Sequence, residues 1–84
     1  MKYVIRVEIT LKEGLHDPEG SVALSCLRDL GFKNILDVKS GKVYYIVLEA
    51  NNDEEAISIV DNACRKLLSN PVKDNYRIEI VHKY

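Results

Sequence analysis

Leu67-Leu68-Ser69-Asn70-Pro71-Val72 closes an apolar-striped helix and opens a strand within a few residues. Pro71 lacks a backbone donor and pushes Asn70 out of helical geometry, so the helix must stop before it. A matching signal stands near the front, Asp17-Pro18-Glu19-Gly20, where a strand gives way to a helix. Asp17 can accept from the free amides of the next turn, and Pro18 at the first helical position sacrifices no donor. Together these marks divide the chain into two strand-and-helix units.

From Tyr3 to Leu11 the odd residues Tyr3, Ile5, Val7, Ile9 and Leu11 alternate with Val4, Arg6, Glu8 and Thr10. That is the period of a half-buried strand, with the odd face as core. Val22, Ala23, Cys26, Leu27 and Leu30 form a single stripe at helical spacing, and Gly31 closes it as the residue that turns left-handed most easily. Gly20, inside the first turn, either permits the close approach of another chain or eases the turn into the helix. Ile35 to Val38 and Val43 to Leu48 flank Lys39-Ser40-Gly41-Lys42, which reads as two strands joined by a tight hairpin. Asn51, Asn52 and Asp53 precede Glu54 and Glu55, a capped and acidic first turn for a second helix. Its stripe is Ala56, Ile57, Val60, Ala63, Cys64, Leu67 and Leu68, and Tyr76, Ile78 and Ile80 alternate in a final strand.

The order strand, helix, strand, strand, helix, strand places the chain in the α+β class. Right-handed crossovers interleave the two units into a ferredoxin-like β-α-β-β-α-β sandwich, a four-stranded antiparallel sheet with both helices on one face. The 84 residues suffice for one domain, 1–84, with a thin core. Both faces of Val43 to Leu48 are apolar, with Tyr44, Ile46 and Leu48 on one side and Val43, Tyr45 and Val47 on the other. A strand covered by helices on one side needs only one such face, so the second predicts a homo-oligomer. Tyr44, Ile46 and Leu48 are assigned to self-association; the assignment inverts if Tyr45 and Val47 point outward.

Composition excludes more than it assigns. Twelve Lys plus Arg against thirteen Asp plus Glu leave a net charge of -1, with both signs spread along the chain, so no field draws nucleic acid. Met1-Lys2-Tyr3 runs straight into a strand pattern, no secretory signal is visible, and no apolar run reaches the ~20 residues of a membrane span. A cytoplasmic location with no membrane partner is expected. Cys26 and Cys64 each fall on a helix stripe and read as small buried hydrophobes; a metal site would need clustered thiols or histidines. A disulfide would need the two helices side by side on one sheet face, and a reducing cytoplasm opposes it.

Catalytic residues are not found. His16 and His82 have no nucleophile beside them in sequence, and the adjacent Glu54 and Glu55 diverge around a helix, which suits the helix dipole better than acid–base work. Gly41-Lys42 lacks the upstream glycine of a phosphate loop and lies between strands. An RNA-recognition module shares the element order and stacks bases on strand aromatics, but Lys42-Val43-Tyr44-Tyr45-Ile46-Val47 lacks its glycine and one of its aromatics, and Tyr3 has core parity. A dimeric small-molecule-sensing module of the same fold stays open as an alternative.

Asp17-Pro18-Glu19-Gly20, Leu30-Gly31-Phe32, Asp37-Val38 with Gly41-Lys42, Cys64 with Leu67-Leu68, and Asn70-Pro71-Val72 with Tyr76, in this order and spacing, resemble the small PurS subunit of phosphoribosylformylglycinamidine synthase. The match covers nearly the whole chain, and Ser69, where a residue such as alanine is expected, is the one departure. The resemblance implies a non-catalytic subunit of a purine-biosynthetic ligase. In that ligase a glutaminase subunit releases ammonia, and a large synthetase subunit uses ATP and Mg to activate formylglycinamide ribonucleotide. It also implies that this chain binds no cofactor, bridges the two other subunits, assists ammonia transfer, and forms dimers or dimers of dimers. On that basis Asp17, Pro18 and Gly20, with the hairpin residues Lys39, Gly41 and Lys42, are expected partner contacts.

Overall fold

A computed structural model describes residues Met1–Tyr84. The elements are β1 (Lys2–Leu11), α1 (Pro18–Asp29), β2 (Gly41–Glu49), α2 (Asp53–Ala63) and β3 (Asp74–Lys83). α2 runs on through one widened turn, Cys64–Leu68, where the Ser69 amide donates to the Cys64 carbonyl at 2.9 Å. Beyond it, the Asn70 side chain accepts from the Val72 amide and the Asn70 carbonyl accepts from the Asp74 amide, so the Pro71 corner delivers the chain directly into β3.

The sheet is antiparallel, in the order β2-β1-β3. Register sets one face: Ile5 lies opposite Ile46 and Ile80, and Val7 opposite Tyr44 and Ile78. A bulge between Val4 and Ile5 shifts the β1 and β3 pairing by one residue. On this face Tyr3, Ile5 and Val7 lose all solvent contact beneath Ala56, Val60 and Cys64 of the second helix, with Ile46, Leu48, Leu68, Ile78 and Ile80 packed around them. Each aliphatic side chain so buried contributes roughly 1.5–3 kcal/mol. The odd face of the first strand is therefore the core, as its alternation predicts.

Three expectations change. The α+β class holds, but the sheet has three strands, not four. Ile35–Val38 forms no ladder, and no hairpin joins it to β2. Its backbone is committed elsewhere: the Val38 carbonyl lies against Gly20, the Val38 amide bonds the Asp37 carboxylate, and the Ser40 amide bonds Asp17.

Second, α1 has no packed interface with the sheet. Helix and return segment form an arm, pinned along its length by a hydrogen bond from the Arg28 guanidinium to the Ile35 carbonyl at 3.3 Å, and the molecule spans 50 × 28 × 14 Å. Ala23 and Leu27 are half-buried within the arm, whereas Val22, Cys26, Leu30, Phe32 and Leu36 are exposed. Cys64 is buried as expected, but Cys26 is not, because its helix lies off the sheet.

Third, Tyr44, Ile46 and Leu48 share the core face, and Val43, Tyr45 and Val47 point away from it. Antiparallel register decides this parity, since Tyr44 must face as Val7 does. With only α2 overhead, that core face is incompletely roofed, and Tyr44 remains 37% exposed.

Replacing Ile5 by alanine should lower the unfolding free energy by about 3 kcal/mol, through lost transfer energy and the cavity left behind. Urea titration at fixed protein concentration checks this as a fall in midpoint at unchanged slope.

Candidate docking site at the base of the arm

Asp17 precedes α1 in extended conformation, with Pro18 as the first helical residue. One carboxylate oxygen accepts from the Gly20 amide at 2.9 Å and the Ser40 hydroxyl at 2.7 Å; the other accepts from the Ser40 amide at 2.6 Å. The helix cap and the approach to β2 thus share one side chain. The Ser40 amide first, then the Gly20 amide and the Ser40 hydroxyl, hold the Asp17 carboxyl down to about 2, with Lys39 assisting.

Gly20 completes the joint. A Cβ there would lie 2.4 Å from the Val38 carbonyl oxygen and 2.8 Å from the Asp17 carboxylate. Of the two readings of this glycine, close approach is the relevant one, but the approaching backbone is the chain's own. Gly41 then opens β2, where a Cβ would meet the Ile9 carbonyl oxygen at 2.8 Å.

The residues expected to contact partners are therefore brought together. Asp17 and Gly20 are tied to Val38 and Ser40, and Lys39, Gly41 and Lys42 follow directly on the same side of the joint. Pro18, Lys39, Gly41 and Lys42 are exposed, while Asp17 and Gly20 are occupied internally. Glu19, Ser40, Lys42, Lys73 and Asp74 line a cleft of about 180 Å³ beside the joint. Ser40 is the functional residue that sequence reasoning missed. Its only signal is its chemistry, because the pairing with Asp17 spans a helix and a return segment.

The remaining polar clusters are structural. The Tyr3 hydroxyl donates to Asp53 at 2.9 Å, and the Lys83 ammonium donates to both Asp53 oxygens at 3.0 and 3.1 Å. Lys83 chiefly, and then Tyr3, hold the Asp53 carboxyl below its usual range; burial chiefly, and then Asp53, push the Tyr3 phenol up. The Tyr76 hydroxyl donates to Asp61 at 2.5 Å, and Arg65 pairs with the same carboxylate. These bonds fasten α2 to β1 and β3. Burial raises the Cys64 thiol, away from nucleophilic character. His82 packs its ring on Tyr84 at 4.8 Å between centroids, and His16 is exposed in its loop. No group of three His, Cys, Asp or Glu side chains is placed to hold a metal ion. The arrangement holds a shape and presents surfaces.

Among protein families, the profile described as PurS: Phosphoribosylformylglycinamidine (FGAM) synthase matches residues 4–82. The chain belongs to the PurS family. It is a subunit of FGAM synthase, a ligase of purine biosynthesis. A PurS subunit of Archaeoglobus fulgidus is 49% identical over 72 residues, covering 86% of this chain and 90% of the relative. The Bacillus subtilis PurS subunit is 33% identical over 78 residues, covering 93% and 92%. Among solved structures, Methanocaldococcus jannaschii PurS superposes over all of both chains with a TM-score of 0.87 at 34% identity. A chain in the structure of PurLQS from Thermotoga maritima gives 0.89 at 27% identity, covering 96% of this chain and 99% of that one.

The Asp17 joint predicts a pH window. Its folded value, about 2, lies below the ordinary 3.8, so its stabilisation is fully present above the ordinary value and disappears as pH falls through the folded one. The difference in urea midpoint between the native chain and Asp17→Asn should stay constant above about pH 5 and shrink from there toward pH 2. Gly20→Ala should destabilise at every pH, because the Val38 carbonyl leaves no room for a methyl group.

Proposed function

We propose that this chain bridges the glutaminase and the large synthetase subunits of FGAM synthase and assists the passage of ammonia between them. Its reading as a single cytoplasmic domain belongs to the same proposal, with ATP and Mg bound by the synthetase and none by this chain. The observation that carries the reading is an excess of unroofed apolar surface on a chain whose polar groups are engaged in holding its shape. Exposed Leu30, Phe32 and Leu36 lie on the arm, and the sheet face around Tyr44 lacks a second helix. Free ammonia is readily protonated and lost to solvent, so transfer needs exclusion of water more than it needs reactive side chains. Rigid surfaces clamped between subunits supply that.

The first partner is a second copy. The arm offers an apolar helix without a sheet, and the sheet offers an apolar face without its second helix, so two copies complete each other. In this reading the partner's arm seats on the core face beside Tyr44, with Ile46 and Leu48 behind it, so the two-helix ferredoxin-like layout is reached only in the dimer; the outward Val43, Tyr45 and Val47, to which the inverted self-association assignment passes, pair two such dimers into a tetramer. Pro18, Lys39, Gly41 and Lys42, exposed at the joint, face the glutaminase and synthetase.

Two measurements test this. Sedimentation of a Leu30→Asp, Leu36→Asp variant should give a folded monomer where the native chain gives a dimer or larger; unchanged mass rejects the arm as interface. Reconstituting the complex without this chain should sharply reduce glutamine-dependent amidine formation and leave more of the ammonia-dependent rate. Equal glutamine-dependent rates with and without the chain would overturn the bridging role.

A further inference from the structure

We infer that the joint of Asp17, Gly20 and Ser40 is a latch that presets the direction of the arm, and so presents α1 to a second copy of this chain. The inference rests on the self-association reading above and adds how the helix is aimed. A helix with no packed interface to its own sheet has no apolar contact to orient it there. Orientation must come from its base, where two chain segments enter, at Asp17 and at Ser40. The Asp17 carboxylate joins them, accepting from the Gly20 amide of the helix and from the amide and hydroxyl of Ser40 at 2.6 to 2.9 Å. Three bonds on one rigid group restrict rotation about the joint far more than a single cap bond would. The Gly20 and Val38 contact adds a steric stop, since the two backbones are too close to admit even a methyl group. Farther out, the Arg28 to Ile35 hydrogen bond keeps the return segment alongside the helix, so that the arm moves as one body.

The energetic consequence follows from preorganisation. If opening the latch lets the arm sample many directions, the fraction poised to dock falls and the apparent affinity falls with it; a competent fraction of about one in ten weakens association about tenfold per arm. The latch residues need not touch the second copy to have this effect.

The chain carries a useful reporter: Cys26 is exposed on the arm, whereas Cys64 is buried. A spin label on Cys26 and a second on Glu79→Cys, on the outer sheet face, report the arm-to-sheet distance by pulsed electron resonance. Full-length labelled chain diluted into excess unlabelled chain reports distances within one molecule, whatever its oligomeric state. The native latch should give one narrow distance distribution. Asp17→Asn should broaden it and raise the self-dissociation constant by about tenfold per arm, and Ser40→Ala, which loses one bond of the three, should broaden it and raise that constant by a smaller factor, with the far-ultraviolet circular dichroism of the sheet retained in both. An unchanged distribution in folded Asp17→Asn overturns the latch. Should Asp17→Asn fail to fold, Ser40→Ala decides, because it keeps the helix cap and loses only the hydroxyl bond; an unchanged distribution there overturns the proposal equally. Failure of the self-association reading is seen separately, as unchanged mass in the Leu30→Asp, Leu36→Asp variant.

Discussion

The grip of the Asp17 carboxylate on Gly20 and Ser40 is the constraint from which the shape of this subunit follows. It binds the beginning and the end of the arm at one point, so everything between them projects as a unit. With Val38 and Ser40 held there, the return segment lies along the arm and adds no strand to the free edge of β2. The missing fourth strand and the displaced first helix meet at this one set of bonds. Where a ferredoxin-like chain would spend both helices on its own sheet, this one keeps only α2 there.

What remains is a sheet with a well-made but small core. Tyr3, Ile5, Val7, Val60 and Cys64 are fully buried, and two tyrosine hydroxyls lock onto the carboxylates of Asp53 and Asp61. Groups that serve as reagents in other proteins are used here as fasteners. A phenol bonded to a carboxylate is raised away from ionisation, and a thiol sealed in apolar surroundings is a poor nucleophile. A subunit that works within a larger ligase needs stiffness and fitting surfaces, and these fasteners supply stiffness.

Much of this was legible in the residues. The alternation of Tyr3 to Ile9 identified the core strand and its inner face, because a strand turns each side chain to the opposite side of its neighbour and only one side is dry. Asn52 and Asp17 announced two helix starts, and Pro71 announced a stop. The family itself also followed from residue types and their order. The parity of Val43 to Leu48 did not, since with both faces apolar only pairing with β1 says which side meets the core. Ser40 read as a turn residue because its partner lies on the far side of a helix.

Local chemistry therefore determined the elements: which segments bend, which coil, where each begins and ends, and which stripe of each repels water. Tertiary structure alone decided what each stripe meets. An amphipathic pattern such as Val22, Cys26 and Leu30 records that water is avoided but carries no address for the surface that replaces it, and here that address was set by a hydrogen-bonded joint formed between residues far apart in the chain.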